Sequence, residues 1–322
     1  MFNYLSSNSF KILILLSLIP LIAVVYYLTN PLSSPPIKEA SSRFTTAYST
    51  NLDLEKQWIV SGEQAKKILS QEATLLDTRS FKLLKGKIPG AKSINWQDFS
   101  QAAHPHRGKL LGNEEILTQK LQKLGIEQNH PVVVFGDPLN GWGEEGRIVW
   151  MLRALGHNQT VLVDGGYQTL LAAKIAFKKK THNQGNFVVQ LRKEWEVNQE
   201  ELKASLLERN FIVVDTRELR EYKGQTPYGE DRGGHIPGAI HLHYKELLGK
   251  DGKLRARKDI LSLLAVKGIG KDKPIVSYCT GGVRSAWLTA VLNDLGFQAK
   301  NYPGSMWEWS SFPADVYPLL IE

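Results

Sequence analysis

Apolar residues fall along this chain in short runs separated by amphipathic stretches. The runs LLD (75–77), VVVF (132–135), VLVD (161–164), FIVVD (211–215) and PIVSY (274–278) are mostly β-branched and end at a turn or a polar residue. That is the pattern of strands buried on both faces of a parallel sheet. The stretches between them predict helices over Glu63–Gln71, Glu114–Leu124, Ile148–Leu155, Gln199–Arg209, Lys258–Val266 and Ser285–Leu295. Gly156 and Gly296 follow two of these, where a left-handed C-terminal cap favours glycine. Strands alternating with helices predict an α/β fold, a mostly parallel sheet covered on both faces.

The pattern also repeats. A first copy holds LLDTRS (75–80), GKIPGAKSINW (86–96), PVVVFGD (131–137) and VLVDGGY (161–167). A second holds VVDTRE (213–218), GHIPGAIHLHY (234–244), PIVSYCT (274–280) and KNYPGSMWEW (300–309). Four blocks in one order at similar spacing mean a duplicated unit. The reading is two tandem domains, 55–176 and 196–322, joined by a polar linker at 177–195 that contains Lys178-Lys179-Lys180.

Residues Ile12–Leu28 are almost wholly apolar, broken by Ser17 and Pro20, and Pro31, Pro35 and Pro36 follow in a Ser-rich stretch. This predicts a hydrophobic helix within 1–30, acting as a membrane anchor or a signal segment, and an extended tether at 31–54. An uncleaved anchor is favoured, since no clear small-x-small cleavage site follows Leu28. Lys11 precedes the apolar stretch, which puts the body on the extracytoplasmic (periplasmic) side.

Composition narrows the chemistry. Of 322 residues 42% are hydrophobic and 22% charged, as in ordinary globular domains. The net charge of +8 is scattered, and no nucleic-acid-binding module is visible. The single cysteine excludes an internal disulfide and a multi-cysteine metal site. Asp164-Gly165-Gly166 is too short for a dinucleotide fingerprint, so neither cofactor nor metal is expected.

The cysteine sits in Cys279-Thr280-Gly281-Gly282-Val283-Arg284-Ser285, after the strand 274–278 and before the helix from Ser285. Ligands bind beyond the carboxyl ends of strands in such sheets. Adjacent glycines let the loop aim amide N–H groups inward, and the helix N-terminus adds positive potential. A thiol in that field is expected to have a lowered pKa. The same cradle suits a persulfide. Cysteine phosphatases also close a Cys loop with Arg, but leave five residues between the two. This loop leaves four, a better fit for one sulfur atom than for a phosphate.

The paired Asp-Thr-Arg blocks (Asp77–Arg79, Asp215–Arg217), the paired Ile-Pro-Gly-Ala blocks (Ile88–Ala91, Ile236–Ala239), the Cys279 loop and the closing Gly304–Trp309 segment resemble a tandem-domain rhodanese. That is the family of thiosulfate and 3-mercaptopyruvate sulfurtransferases. The resemblance spans roughly 55–320. It implies two similar α/β domains, with the site in the second, near the domain interface. It implies covalent transfer of sulfur from a small anionic donor to a thiol or cyanide through a Cys279 persulfide. Thr280, Gly281, Gly282, Val283 and Arg284 would hold the donor, with Arg220 beside them. Arg284 would bind the donor's anionic end or brace the loop. Asp215, Arg217 and Ser285 would support the site, and His235 would bond a turn. Aligning Pro131 with Pro274 puts Gly136 opposite Cys279, so the first domain has no nucleophile and would form packing and one cleft wall. Mercaptopyruvate enzymes tend to carry an arginine where this chain has Glu221. That substitution and the charge of Arg284 favour thiosulfate as donor. The alternatives are 3-mercaptopyruvate as donor, or a membrane-tethered sulfur carrier with little turnover. Oligomeric state has no sequence signature here.

Overall fold

The computed structural model describes residues 53–80, 86–175 and 184–321. The apolar segment 12–28, most of the tether and linker residues 177–183 lie outside them. Among the described residues no helix is long and apolar enough to cross a membrane.

The first sheet has five parallel strands: β1 (Ile59–Val60), β2 (Thr74–Asp77), β3 (Lys92–Ser93), β4 (Val132–Phe135) and β5 (Thr160–Val163), in the order β1-β5-β4-β2-β3. Its helices are α1 (Gly62–Leu69), α2 (Glu114–Lys123), α3 (Glu144–Ala154) and α4 (Gly166–Ala172). Ser61 starts α1 with a capping box to Gln64, which satisfies donors that a helix N-terminus leaves unpaired. The central strands β2, β4 and β5 are buried along their whole length, as strands covered by helices on both sides must be.

The second half repeats the plan with α5 (Gln199–Glu208), β6 (Ile212–Asp215), α6 (Leu219–Tyr222), β7 (Ile240–His241), α7 (Arg257–Val266), β8 (Ile275–Tyr278), α8 (Arg284–Asp294), β9 (Ala299–Asn301) and α9 (Ser305–Trp309). Its sheet order is β7-β6-β8-β9, again all parallel. A lone parallel bridge, Glu196 to Asn301, stands where β1 stands in the first sheet. The registers correspond. Asp77 pairs with Phe135 and Asp215 with Tyr278, so Gly136 and Cys279 leave equivalent strand ends.

The two halves share one core. Trp150 and Leu152 of α3 and Trp287, Leu288 and Val291 of α8 belong to a single buried cluster. Both helices are buried almost all round, as helices packed between two sheets must be. Gly146 permits their close approach, because a Cβ there would lie 2.4 Å from Trp287 Cα. Asp294, near the end of α8, accepts bonds from the Trp58 and Ile59 amides at 2.9 and 3.0 Å. The second domain's central helix therefore caps the first domain's edge strand.

Helix α3 begins about one turn before its apolar pattern predicts. Glu144 and Glu145 form its first turn, where acidic side chains suit the helix dipole and hydrophobic periodicity gives no signal. The strands β3 and β7 are two-residue edge pairings, too short to show a pattern.

Candidate active site

Strand β8 delivers Cys279 to the base of the loop that opens α8. Three bonds fix its main chain. The Cys279 amide donates to Ser305 Oγ (3.0 Å), its carbonyl accepts from Met306 N (3.1 Å), and the Thr280 carbonyl accepts from Trp307 N (2.9 Å). The closing Gly304–Trp309 segment is thus the floor of the loop. Gly281 has no room for a side chain, since a Cβ would meet the Trp307 ring at 2.1 Å. Gly282 takes a φ of +76°, a region open mainly to glycine.

The thiol is 1% exposed, yet its surroundings are polar. Ser285 Oγ lies 3.5 Å from Sγ and 2.6 Å from Asn301 Oδ1. Burial pushes the thiol pKa up. The Arg284 charge, the Ser285 hydroxyl and the amides of Ser285 and Gly281 outweigh that, and the net shift is downward. A buried thiol whose pKa still falls is one whose anion the loop is built to hold.

Arg284 is committed to the loop. It makes a forked pair with Glu221 (2.6 and 2.7 Å) and donates to Thr280 Oγ1 (2.6 Å). Glu221 is fully buried and also accepts from Thr280 Oγ1 (2.9 Å) and from the Glu218 amide (3.1 Å). Burial raises its pKa, but Arg284 and then Arg217 bring it below the ordinary value. Of the two roles open to Arg284 in the sequence, this geometry is that of a brace. Glu230 adds a second carboxylate, 3.2 Å from Thr280 Oγ1.

Asp215 and Arg217 are fully buried and paired at 2.6 Å, and Arg217 also donates to the Gly234 carbonyl (2.7 Å). The pair pins the end of β6 to the turn before His-Ile-Pro-Gly. Asp77 and Arg79 repeat it in the first domain, with Gly86 as acceptor. His235 stacks on Tyr222 at 3.7 Å, its Nδ1 lying 3.1 Å from the Tyr222 carbonyl. Arg220 does not join the loop. Its half-exposed side chain binds Glu218 at 2.6 Å and the Tyr228 hydroxyl at 3.1 Å.

The first domain contributes more than a wall. Arg147, on α3, donates to the Gly282 carbonyl at 3.0 Å. Gly108 sits against Gly281, where a Cβ would come within 2.8 Å of the Gly281 oxygen. The first domain's own strand-end loop is closed. A Cβ on Gly136 would lie 2.2 Å from Glu145 Oε2. Glu145 is fully buried, and neither carboxyl oxygen makes a well-formed hydrogen bond. Its own backbone amide and the Trp287 indole lie near enough to favour its charge, but desolvation dominates and raises its pKa to about 8.

Sequence reasoning missed Glu221 as the partner of Arg284, and missed Arg147 and Glu145. One signal was present for the last two: the run Ile148–Leu152 is apolar all round, so the charged residues flanking it have no clear solvent face to occupy.

The profile of the rhodanese-like domain matches residues 61–173 and 198–312. Curated relatives include thiosulfate sulfurtransferase of Pseudomonas aeruginosa, 29% identical over 259 residues (79% of this chain, 94% of that one). Sulfur carrier protein TtuD of Thermus thermophilus is 31% identical over 242 residues (70% and 83%). 3-Mercaptopyruvate sulfurtransferase of Mus musculus is 28% identical over 268 residues (79% and 90%). Among solved structures, the 3-mercaptopyruvate sulfurtransferase SseA of Escherichia coli superposes with a TM-score of 0.65 at 22% identity, over 77% of this chain and 98% of that one. With the duplicated parallel sheets and the thiol at a strand end, these matches establish that the chain belongs to the rhodanese-like domain family, carrying two such domains of which the second holds the cysteine.

Proposed function

We propose that this protein is a sulfurtransferase that moves a sulfane sulfur from a small anionic donor, thiosulfate in the first place, to a thiophilic acceptor such as cyanide or a thiol. The observation that carries the reading is the Cys279 thiol, fully buried yet lowered in pKa by Arg284, Ser285 and the loop amides. The thiolate attacks the outer sulfur of thiosulfate. A bond forms between Sγ and that sulfur, the bond to the sulfite sulfur breaks, and sulfite leaves with the electron pair. The acceptor then attacks the terminal sulfur, and the thiolate is restored. No external oxidant or reductant is needed. The loop amides, already turned toward Sγ, stabilise charge at both stages.

The Glu221–Arg284 pair supports thiosulfate over mercaptopyruvate. Position 221 holds a carboxylate bound to Arg284, not an arginine that could grip a donor carboxylate. The relative named as a sulfur carrier keeps a second reading open, in which the persulfide is handed on stoichiometrically.

The test is intact-mass analysis after exposure to thiosulfate and, separately, to mercaptopyruvate, with Cys279→Ser alongside. Wild type is expected to gain one sulfur atom and the variant none. No gain from either donor would falsify the reading. Sustained conversion of cyanide to thiocyanate separates an enzyme from a carrier, which stalls after one transfer. We read residues 12–28 as an uncleaved anchor holding the two domains on the extracytoplasmic side. Retention in the membrane fraction after an alkaline wash would support it, and release would oppose it.

A further inference from the structure

We propose that Arg147, which belongs to the domain without a nucleophile, is a positioning residue for the sulfur on Cys279, so that the active site is built across both domains.

Arg147 bridges the two domains through its hydrogen bonds. It is fully buried. Nη1 donates to the Gly282 carbonyl (3.0 Å), and Nη2 donates to the Gly108 carbonyl (2.5 Å) and to Ser100 Oγ (3.1 Å). Nε has no partner. Its guanidinium lies over Trp150 (4.7 Å) and Trp96 (5.5 Å). Every acceptor is neutral, and among the described residues no carboxylate is paired with it. A buried cation without a counter-ion is unfavourable, and desolvation accordingly lowers its pKa to about 10. It remains charged at neutral pH. The anions that oppose the shift are Cys279 first and Glu196 second.

That attraction is reciprocal: a thiolate that steadies Arg147 is steadied by it in turn, behind Arg284, the first cation to lower the thiol's pKa. The loop's own arginine is that first cation, but it is shared with carboxylates. Arg284 is matched by Glu221 at 2.6 Å, with Glu230 close by on Thr280, so much of its charge is already balanced. Arg147 brings a net positive charge to the cradle. It also has a geometric role. Arg147 and Asn301 both donate to the Gly282 carbonyl, at 3.0 and 3.2 Å. Two donors on one carbonyl fix the plane of the Gly282–Val283 peptide. A Cβ on Gly282 would come 2.7 Å from Arg147 Nη1, so the second glycine of the loop is also what admits the arginine.

The inference rests on the transfer reading, but the two fail separately. The full-length protein is compared with Arg147→Gln, which removes the charge and keeps a donor, and with Arg147→Lys, which keeps the charge. A neutral amide is easier to bury than a cation, so the glutamine variant is expected to fold. The readout is the pH profile of Cys279 alkylation by iodoacetamide, followed by intact mass, with near-ultraviolet circular dichroism as the check on folding. Arg147→Gln is expected to move the profile up by about one pH unit, roughly tenfold slower alkylation at a fixed pH below the midpoint. Arg147→Lys is expected to restore most of that shift. A glutamine profile superimposed on wild type overturns the proposal. So does a lysine profile displaced as far as the glutamine one, because packing and not charge would then be responsible. Alkylation needs no sulfur donor. A wild type that gains no sulfur would sink the transfer reading and leave this test standing.

Discussion

Replacing Glu145 with glutamine is expected to make the protein more stable at neutral pH and to remove a pH dependence that wild type shows. Glu145 is fully buried in the closed loop of the first domain, and its pKa is raised from 4.5 to about 8, chiefly by desolvation. A raised folded pKa means that the fold prefers the protonated carboxyl. Below pH 4.5 folded and unfolded chains both hold that proton, and the group costs nothing. As pH rises toward 8 the unfolded chain releases the proton and the folded chain keeps it, so stability falls by up to roughly 1.4 kcal/mol per unit. Across the whole window the loss is on the order of 5 kcal/mol. Between pH 5.5 and 7.5 it is about 3 kcal/mol. Glutamine has the same shape and no proton to lose. The assay is urea unfolding of both proteins at the two pH values, extrapolated linearly to water. The wild-type decline should exceed that of Glu145→Gln by about 3 kcal/mol. Parallel pH dependences would refute the reasoning, because they would show that the carboxyl gains its charge in the folded protein without penalty.

Two other substitutions test the brace around the cysteine. Glu221→Gln leaves Arg284 buried without its carboxylate, and breaking a buried pair from one side costs about 3–5 kcal/mol. The variant should show that loss in urea unfolding at pH 7, and a near-wild-type midpoint would contradict the bidentate pair. Arg220→Ala removes a half-exposed ion pair with Glu218, so stability should change by less than about 1 kcal/mol. Its thiosulfate KM should stay within about twofold of wild type, a change well under 1.4 kcal/mol. A larger rise would return Arg220 to the donor site.

The repeat, the parallel sheets and the position of Cys279 were legible because each is local. Strand runs end in Asp-Thr-Arg, glycines mark the loop, and the two copies calibrate one another. The partners of the charged residues were not legible. Glu221 and Arg284 are 63 residues apart in sequence, and Arg147 and Gly282 are 135 apart. Nothing in composition or periodicity ties such positions together. What the sequence does carry is a conflict. Arg147 and Arg153 interrupt the apolar pattern of α3, and Arg284 starts a helix whose middle, Ala286–Leu292, is apolar but for Thr289. A helix with no polar face has to bury its charges, and a buried charge needs a partner from elsewhere in the fold. The apolar segment 12–28 was read from hydropathy alone, and it lies outside the described residues.

The helices that follow the two strand-end loops are the same length and end alike, α3 at Ala154 before Leu155-Gly156 and α8 at Asp294 before Leu295-Gly296. Matched from their first residues, Glu145 stands at the position of Ser285, and Arg147 at that of Trp287. The correspondence explains why one cradle is closed and the other open. In the second domain this position carries a small hydroxyl beside Sγ. In the first it carries a carboxyl that fills the space a side chain at Gly136 would need. The residues two places later cross the domain boundary in opposite directions. Trp287 packs on Gly143 and Gly146 of the first domain, and Arg147 reaches the Gly282 carbonyl of the second. Both cradles surround an acidic group. In the first, desolvation prevails and the carboxyl pKa rises to about 8. In the second, Arg284 and the amides prevail and the thiol pKa falls. The strand-end residue, Gly136 against Cys279, and the groups around the acid therefore separate the silent domain from the one that carries sulfur: a carboxyl that closes the first loop, Arg284 and the amides in the second.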